Sequence, residues 1–340
     1  MGSHRPRRFY LMTYPRTASN LLVRILGLDE QPNVLPGHTR GGYFFLPVIQ
    51  LMGALQLRNR GVAEWTDEER RQVKQCYQDC FDTLQEYLDE ADSKRCSIFV
   101  KEHIHFLAEP TVLTRQLCGT SVEEAPWMVN VPEVYGFTRS AQNETVVPDG
   151  FLRTWLPTFL IRHPALAFPS RYRVFLDVNG VHPDGVGGEQ GTLTMTLRWT
   201  RSLYNWYRDN LTAEESYIDG DVTWPVVIDA DDVMANQAVV MRYCDILGMD
   251  RSKLRFSWQP WTEEQKAEMD KYPRRFLSTL IASSGIVKGK TSDEVDVDVE
   301  AKKWREEFGE NAAAEIEQLV RAAMPDYEFL RARRLGATKP

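Results

Sequence analysis

Three short segments of this chain hold residue types able to do chemistry. In Lys101-Glu-His-Ile-His105 a cation, a carboxylate and two imidazoles fall within five residues, directly after the apolar run Ser97-Ile-Phe-Val100. Alternation along an extended strand puts Lys101, His103 and His105 on one face. With Glu102 beside them, an acid, a base and a cation then meet at one strand end. That set suits proton transfer without any nucleotide, such as cyclisation or lactonisation of a small polyketide-like substrate. Phe44, Phe45, Trp127, Met128 and Tyr135 are the expected lining of its pocket. A buried, hydrogen-bonded core histidine is the plainer reading, and it stays open for both imidazoles.

The second segment, Arg16-Thr-Ala-Ser-Asn20, separates the β-favouring run Arg8-Phe-Tyr-Leu-Met-Thr-Tyr14 from the helical Leu21-Leu-Val-Arg-Ile-Leu26. A guanidinium, two hydroxyls and the N–H groups of a helix start form an anion cradle. An ordinary capping turn with a surface arginine fits the same spacing. Neither the Gly-x4-Gly-Lys-Ser/Thr phosphate loop nor the Gly-x-Gly-x2-Gly dinucleotide turn is present. The third segment, Arg162-His-Pro164, follows the apolar Thr158-Phe-Leu-Ile161.

These segments need elements to hold them. Strand patterns at 8–14, 97–101, 158–161 and 225–228 alternate with helical ones, which predicts an α/β fold: a central, mostly parallel sheet flanked by helices. In such sheets ligands gather at the carboxyl ends of strands, where all three segments lie. A long helix is expected from Thr66, its apolar stripe running Val73, Cys76, Tyr77, Cys80, Phe81, Leu84, Tyr87 and Leu88. Further helices are expected at 164–175, 193–210, 236–247, 262–281 and 299–323. Residues 29–66 read as irregular and Gly180–Gly191 as a flexible loop. Residues 108–156 read as an insertion, a lid or acceptor-pocket element. No composition break marks a linker, so one domain over 8–330 is expected.

The 340 residues carry 41 Lys+Arg against 48 Asp+Glu, a net charge of −7, with 43% hydrophobic and 26% charged residues. The acidic balance argues against a nucleic-acid partner and against an anionic membrane surface. The longest apolar stretch, Tyr43–Leu55, is interrupted by Pro47, Gln50 and Gly53 and is too short to span a bilayer. The N-terminus lacks the apolar region of a secretory signal. The odd set Cys76, Cys80, Cys96, Cys118 and Cys244 suggests reduced thiols, hence a cytoplasmic location. His38, His163 and His182 read as loop or capping residues, and Trp199, Leu203, Trp206 and Tyr207 as a core-packing stripe.

Tyr14-Pro-Arg-Thr-Ala-Ser-Asn-Leu21 resembles the 5′-phosphosulfate loop of the sulfotransferases, Tyr-Pro-Lys/Arg-Ser-Gly-Thr-Thr. Lys101-Glu-His103 is similar to that family's Lys-Thr-His, and Arg162-His-Pro-Ala-Leu-Ala-Phe-Pro-Ser170 to its 3′-phosphate motif. Val226-Val-Ile-Asp-Ala-Asp-Asp-Val-Met-Ala-Asn236 is similar to its later strand and Tyr-Glu-Asp-x3-Asn turn. The resemblance implies a sulfotransferase-type, P-loop-like fold and use of 3′-phosphoadenosine 5′-phosphosulfate (PAPS), with a small hydroxylated molecule, such as a secondary metabolite, as acceptor. It implies His103 as base, with Lys101 and Arg16 stabilising the transferring group. Thr17, Ala18, Ser19 and Asn20 would hold the 5′-phosphate, and Arg162 and Ser170 the 3′-phosphate; no metal is required.

Departures from the pattern cluster on the donor side. Ala18 replaces the loop glycine, Asn20 the second threonine, Leu21 an adenine-stacking tryptophan and Ala230 a tyrosine. Ser283-Ser284-Gly285 stands where the family has Arg-Lys-Gly, with Lys288 and Lys290 nearby. Sulfonyl transfer leads, ahead of the nucleotide-independent cyclase and of a non-catalytic binding protein.

Overall fold

A computed structural model describes residues 6–37, 42–58, 60–119, 122, 124–180, 186, 189–220 and 222–337. His38, His182 and most of the 180–191 loop fall outside them. The main strands are β1 (Arg8–Thr13), β2 (Ile98–His103), β3 (Leu156–Ile161) and, after the small hairpin β4 (Tyr217–Asp219) and β5 (Val222–Thr223), β6 (Val226–Asp229). They form one sheet in the order β2-β1-β3-β6, with β1 parallel to β2 and β3. Nearly every residue of these strands is buried, as continuous apolar runs in a parallel sheet must be. The expected α/β class with helices flanking a parallel sheet is the fold observed.

Contacts gather the chain into two compact units, residues 1–14, 33–159 and 192–226 in the first and 15–32, 160–191 and 227–340 in the second. In the first, the helix Asp67–Lys94 opens on a capping box between Thr66 and Glu69. Its buried stripe keeps Val73, Tyr77, Cys80, Phe81, Leu84, Tyr87 and Leu88. The helix Arg198–Asn210 buries Trp199, Leu203, Trp206 and Tyr207, and the Tyr207 hydroxyl donates to the Leu152 carbonyl at 3.1 Å. Residues 29–66 are not irregular throughout. They contain the helix Leu46–Ala54, whose sequence is apolar almost all round and so shows no one-sided stripe. Within 108–156, Glu109 caps the helix Pro110–Cys118 and also accepts from the Trp127 N–H.

In the second unit the helix Ser19–Leu26 follows the Arg16 loop, and the helix Pro164–Asn179 runs past Phe175 despite Pro169. His163 caps that helix, its Nδ1 accepting from the Ala165 N–H at 3.2 Å. The continuous helix expected at 262–281 is instead three short ones, Glu263–Ala267, Lys271–Phe276 and Ser278–Ala282. The last helix is two, Val297–Phe308 and Glu310–Arg331, divided at Gly309, whose φ of 83° a helix does not admit. Among the described residues no helix is long and apolar enough to cross a membrane. Cys76, Cys80, Cys96 and Cys244 are free thiols.

Candidate active site

The site residues expected from the sequence fall into two groups, one in each unit. In the first unit the parallel register brings β1 and β2 to a common end, with Leu11 opposite Lys101 and Thr13 opposite His103. Lys101 is 1% exposed, and its ammonium lies 4.2 Å from the centre of the Tyr43 ring. Burial pushes the Lys101 amine down to about 7, opposed by the neighbouring Glu102 charge. The Glu102 carboxylate, also fully buried, accepts the Phe45 N–H on one oxygen at 2.9 Å and the His103 N–H on the other at 3.1 Å. Burial pushes it up to about 8 against those two hydrogen bonds and the Lys101 charge.

His103 is the part-exposed member of this group. Its Nδ1 lies 2.7 Å from the Thr13 hydroxyl oxygen, and its ring packs against Tyr43 at 4.7 Å and Phe106 at 5.1 Å. The His105 ring stacks on it at 5.8 Å and 15°. The route differs from simple alternation: the strand stops at His103, and His105 sits in the helical turn Ile104–Leu107. That turn still brings the two imidazoles together and buries His105.

The aromatic lining differs from expectation. Phe44 packs on Tyr87 at 5.6 Å, Phe45 on Tyr77 at 6.3 Å and Tyr135 on Phe151 at 5.1 Å, so all three serve the core. Trp127 and Met128 line a different groove of about 760 Å³, shared with Arg70, Lys74 and Glu124. The rings on His103 are Tyr43 and Phe106. Sequence reasoning passed over these two and Thr13. For Thr13 the signal was present, because two parallel strands ending flush place it opposite His103.

The donor-side residues lie in the second unit. Arg16 and Ala18 both adopt positive φ, 71° and 62°, the turn by which the loop enters the helix Ser19–Leu26. Ala18 has no side chain to cap that helix, so its first N–H groups point out of the helix end without a side-chain cap. Thr17 and Ser19 are buried and Asn20 half-buried. The Arg16 Nε donates to the Ser170 hydroxyl at 3.0 Å and its Nη1 to the Phe276 carbonyl at 2.7 Å. Arg162 donates to the Arg16 carbonyl at 2.9 Å and to the Lys290 carbonyl at 3.3 Å. Arg171 brings a third guanidinium, 5.6 Å from the Phe276 ring that Arg16 also approaches at 5.8 Å.

The departures have visible consequences. Ala230 is wholly buried at the start of the helix Ala230–Ala235. Gly285 bridges to Ser257, and a Cβ there would lie 3.1 Å from the Phe256 carbonyl oxygen, so close approach favours glycine. Ser284 uses its carbonyl, which accepts from the Trp258 N–H at 3.0 Å, while the Ser283 hydroxyl donates to the Leu280 carbonyl. Further along, the Asp231 carboxylate accepts from the Ser292 N–H at 3.0 Å and from its hydroxyl. The Lys290 carbonyl on Arg162 and Ser292 on Asp231 thus anchor the segment after Gly285.

The sulfotransferase ppzF of Metarhizium rileyi is 44% identical over 342 residues, covering 100% of both chains. That of Metarhizium majus is 45% identical over 336 residues, covering 98% of each. The chain belongs to this sulfotransferase family. No family model matches it. Among solved structures, the sulfotransferase domain of the Synechococcus PCC 7002 olefin synthase aligns with 91% of the chain and 97% of its own, at 12% identity and a TM-score of 0.38. For a sulfotransferase the chemistry of the two groups is apt. One carries an imidazole beside a buried amine; the other carries three guanidiniums and a hydroxyl around a helix start. Arg16 donates to the Ser170 hydroxyl and the Phe276 carbonyl, and Arg162 to the Arg16 and Lys290 carbonyls, so hydroxyl and carbonyl acceptors hold both guanidiniums at the helix start.

Proposed function

We propose that this sulfotransferase transfers a sulfonyl group from PAPS to a hydroxyl of a small molecule. The observation that supports this most is the linkage of Arg16, Ser170 and Arg162. Residues up to 154 positions apart meet through the Arg16–Ser170 and Arg162–Arg16 hydrogen bonds, as a site for a bisphosphorylated nucleotide requires. When bound, PAPS supplies a sulfonyl group on a phosphate leaving group.

The chain's residues do the rest. Arg162 and Ser170 hold the 3′-phosphate; a guanidinium offers it two parallel N–H donors. Arg16, Thr17, Ser19, Asn20 and the N–H groups of the helix start hold the 5′-phosphate. His103 takes the proton of the acceptor hydroxyl. Lys101 stabilises the charge that develops on the leaving oxygen.

The test is isothermal titration with 3′-phosphoadenosine 5′-phosphate, the desulfonated donor. Binding on the order of micromolar supports the reading. No binding at millimolar nucleotide overturns it.

A further inference from the structure

We infer that Thr13 is a positioning residue that sets the tautomer of His103, holding the proton on Nδ1 and leaving Nε2 as the basic nitrogen. The Thr13 hydroxyl oxygen lies 3.0 Å from the Glu102 carbonyl oxygen and 2.7 Å from His103 Nδ1. A carbonyl oxygen only accepts, so the 3.0 Å contact takes the one proton that threonine has. The hydroxyl oxygen then meets Nδ1 with lone pairs alone, and Nδ1 must bring the hydrogen. With the opposite tautomer, the Thr13 proton would turn to Nδ1. Two oxygen lone pairs would then face each other at 3.0 Å in a buried site, a repulsion that the low local dielectric strengthens.

The elements around the pair keep this geometry. Thr13 is fully buried at the end of β1, and the β1–β2 register places it opposite His103. The Glu102 carbonyl that receives the threonine proton belongs to the residue before His103. The same residue's carboxylate accepts the His103 backbone N–H. Backbone and ring of His103 are therefore both held from the Thr13–Glu102 side. Tyr43, Phe106 and His105 pack against the ring and restrict its rotation. A base serves only if its lone pair faces the acceptor hydroxyl, and fixing Nδ1–H assigns that work to Nε2.

The test combines a spectroscopic and a kinetic readout on the full chain. Proton–nitrogen correlation spectra of the neutral His103 ring report which nitrogen carries hydrogen, whatever the enzyme acts on. Wild type and Thr13→Ser, which keeps the hydroxyl, are expected to show Nδ1–H, and Thr13→Val a population shifted toward Nε2–H. The kinetic arm rests on the sulfotransferase reading. There Thr13→Val is expected to lower kcat by about tenfold or more with KM little changed, and Thr13→Ser to restore it. A wild-type ring protonated on Nε2 overturns the inference even if Thr13→Val does not fold. So does a Thr13→Val protein with wild-type tautomer and kcat. If the wild type has no PAPS-dependent activity, the functional reading fails while the spectra still decide the tautomer.

Discussion

The base end of β2 and the Arg16 loop hold their charges in opposite ways. Around β2 the charged groups are inside the protein: Lys101 and Glu102 are fully buried, and both Glu102 oxygens are spoken for by backbone N–H groups. In the loop the guanidiniums are half-buried, held to carbonyls and one hydroxyl on a backbone that twice enters positive φ. The first arrangement makes chemistry and stability depend on the same atoms. The second lets the chain keep its fold while the affinity for an anion changes, which fits the concentration of departures there: Ala18, Asn20, Leu21, Ala230 and Ser283-Ser284.

The largest expected effect is on catalysis. His103→Ala should lower sulfonyl transfer by about 100- to 10,000-fold, the usual worth of a general base, while nucleotide binding is unchanged. Steady-state rates beside a binding titration check this, and a parallel loss of binding would break the division between the two regions. Next, Arg162→Ala should weaken binding of the desulfonated donor by roughly 10- to 150-fold, from about 1.5–3 kcal/mol of charge-assisted hydrogen bonding. Unfolding without nucleotide should show only the loss of its hydrogen bonds to the Arg16 and Lys290 carbonyls, about 1–3 kcal/mol.

Glu102→Gln sharpens the contrast from the other side. An amide cannot accept on both ends, so one buried N–H, of Phe45 or His103, loses its partner at a cost of about 1–3 kcal/mol. The pH dependence follows in sign. The folded chain keeps a proton on Glu102 up to about 8, whereas the unfolded chain releases it near the ordinary carboxyl value of 4.5. Folded protein binds more protons in that window, so this group's contribution to stability falls as pH rises through it. Lys101, lowered to about 7, acts with the opposite sign above that pH, and Asp229, raised to about 6, acts with the same sign below 6, so the difference between wild type and Glu102→Gln in denaturant unfolding between about pH 6 and 7 reports Glu102. The variant should flatten the slope there. The smallest effect is expected for Ala18→Gly, which relieves a left-handed alanine and should stabilise the chain by about 0.5–1 kcal/mol without changing kcat.

Much of this was legible in the sequence because strand ends are. Apolar runs followed by Arg16, Lys101-Glu-His103 and Arg162 announce a parallel sheet with polar residues at its carboxyl edge, and that sheet is observed. What stayed hidden depends on long-range pairing. Thr13 acquires meaning only when β1 and β2 are aligned flush. Tyr43 comes from a segment with no periodic signal, and its neighbours Phe44 and Phe45 turn to the core although all three are aromatic. The helix Leu46–Ala54 lacked the one-sided stripe that reveals amphipathic helices. The last helix continues through Pro325 to Arg331, since tertiary packing of Val320, Ala323, Tyr327 and Leu330 outweighs the missing N–H.

The most direct test of the account is titration of the desulfonated donor into wild type, His103→Ala and Arg162→Ala side by side. The account predicts that His103→Ala binds like wild type and that Arg162→Ala is weakened by an order of magnitude or more. Equal affinity in all three, or equal loss in both variants, would contradict it.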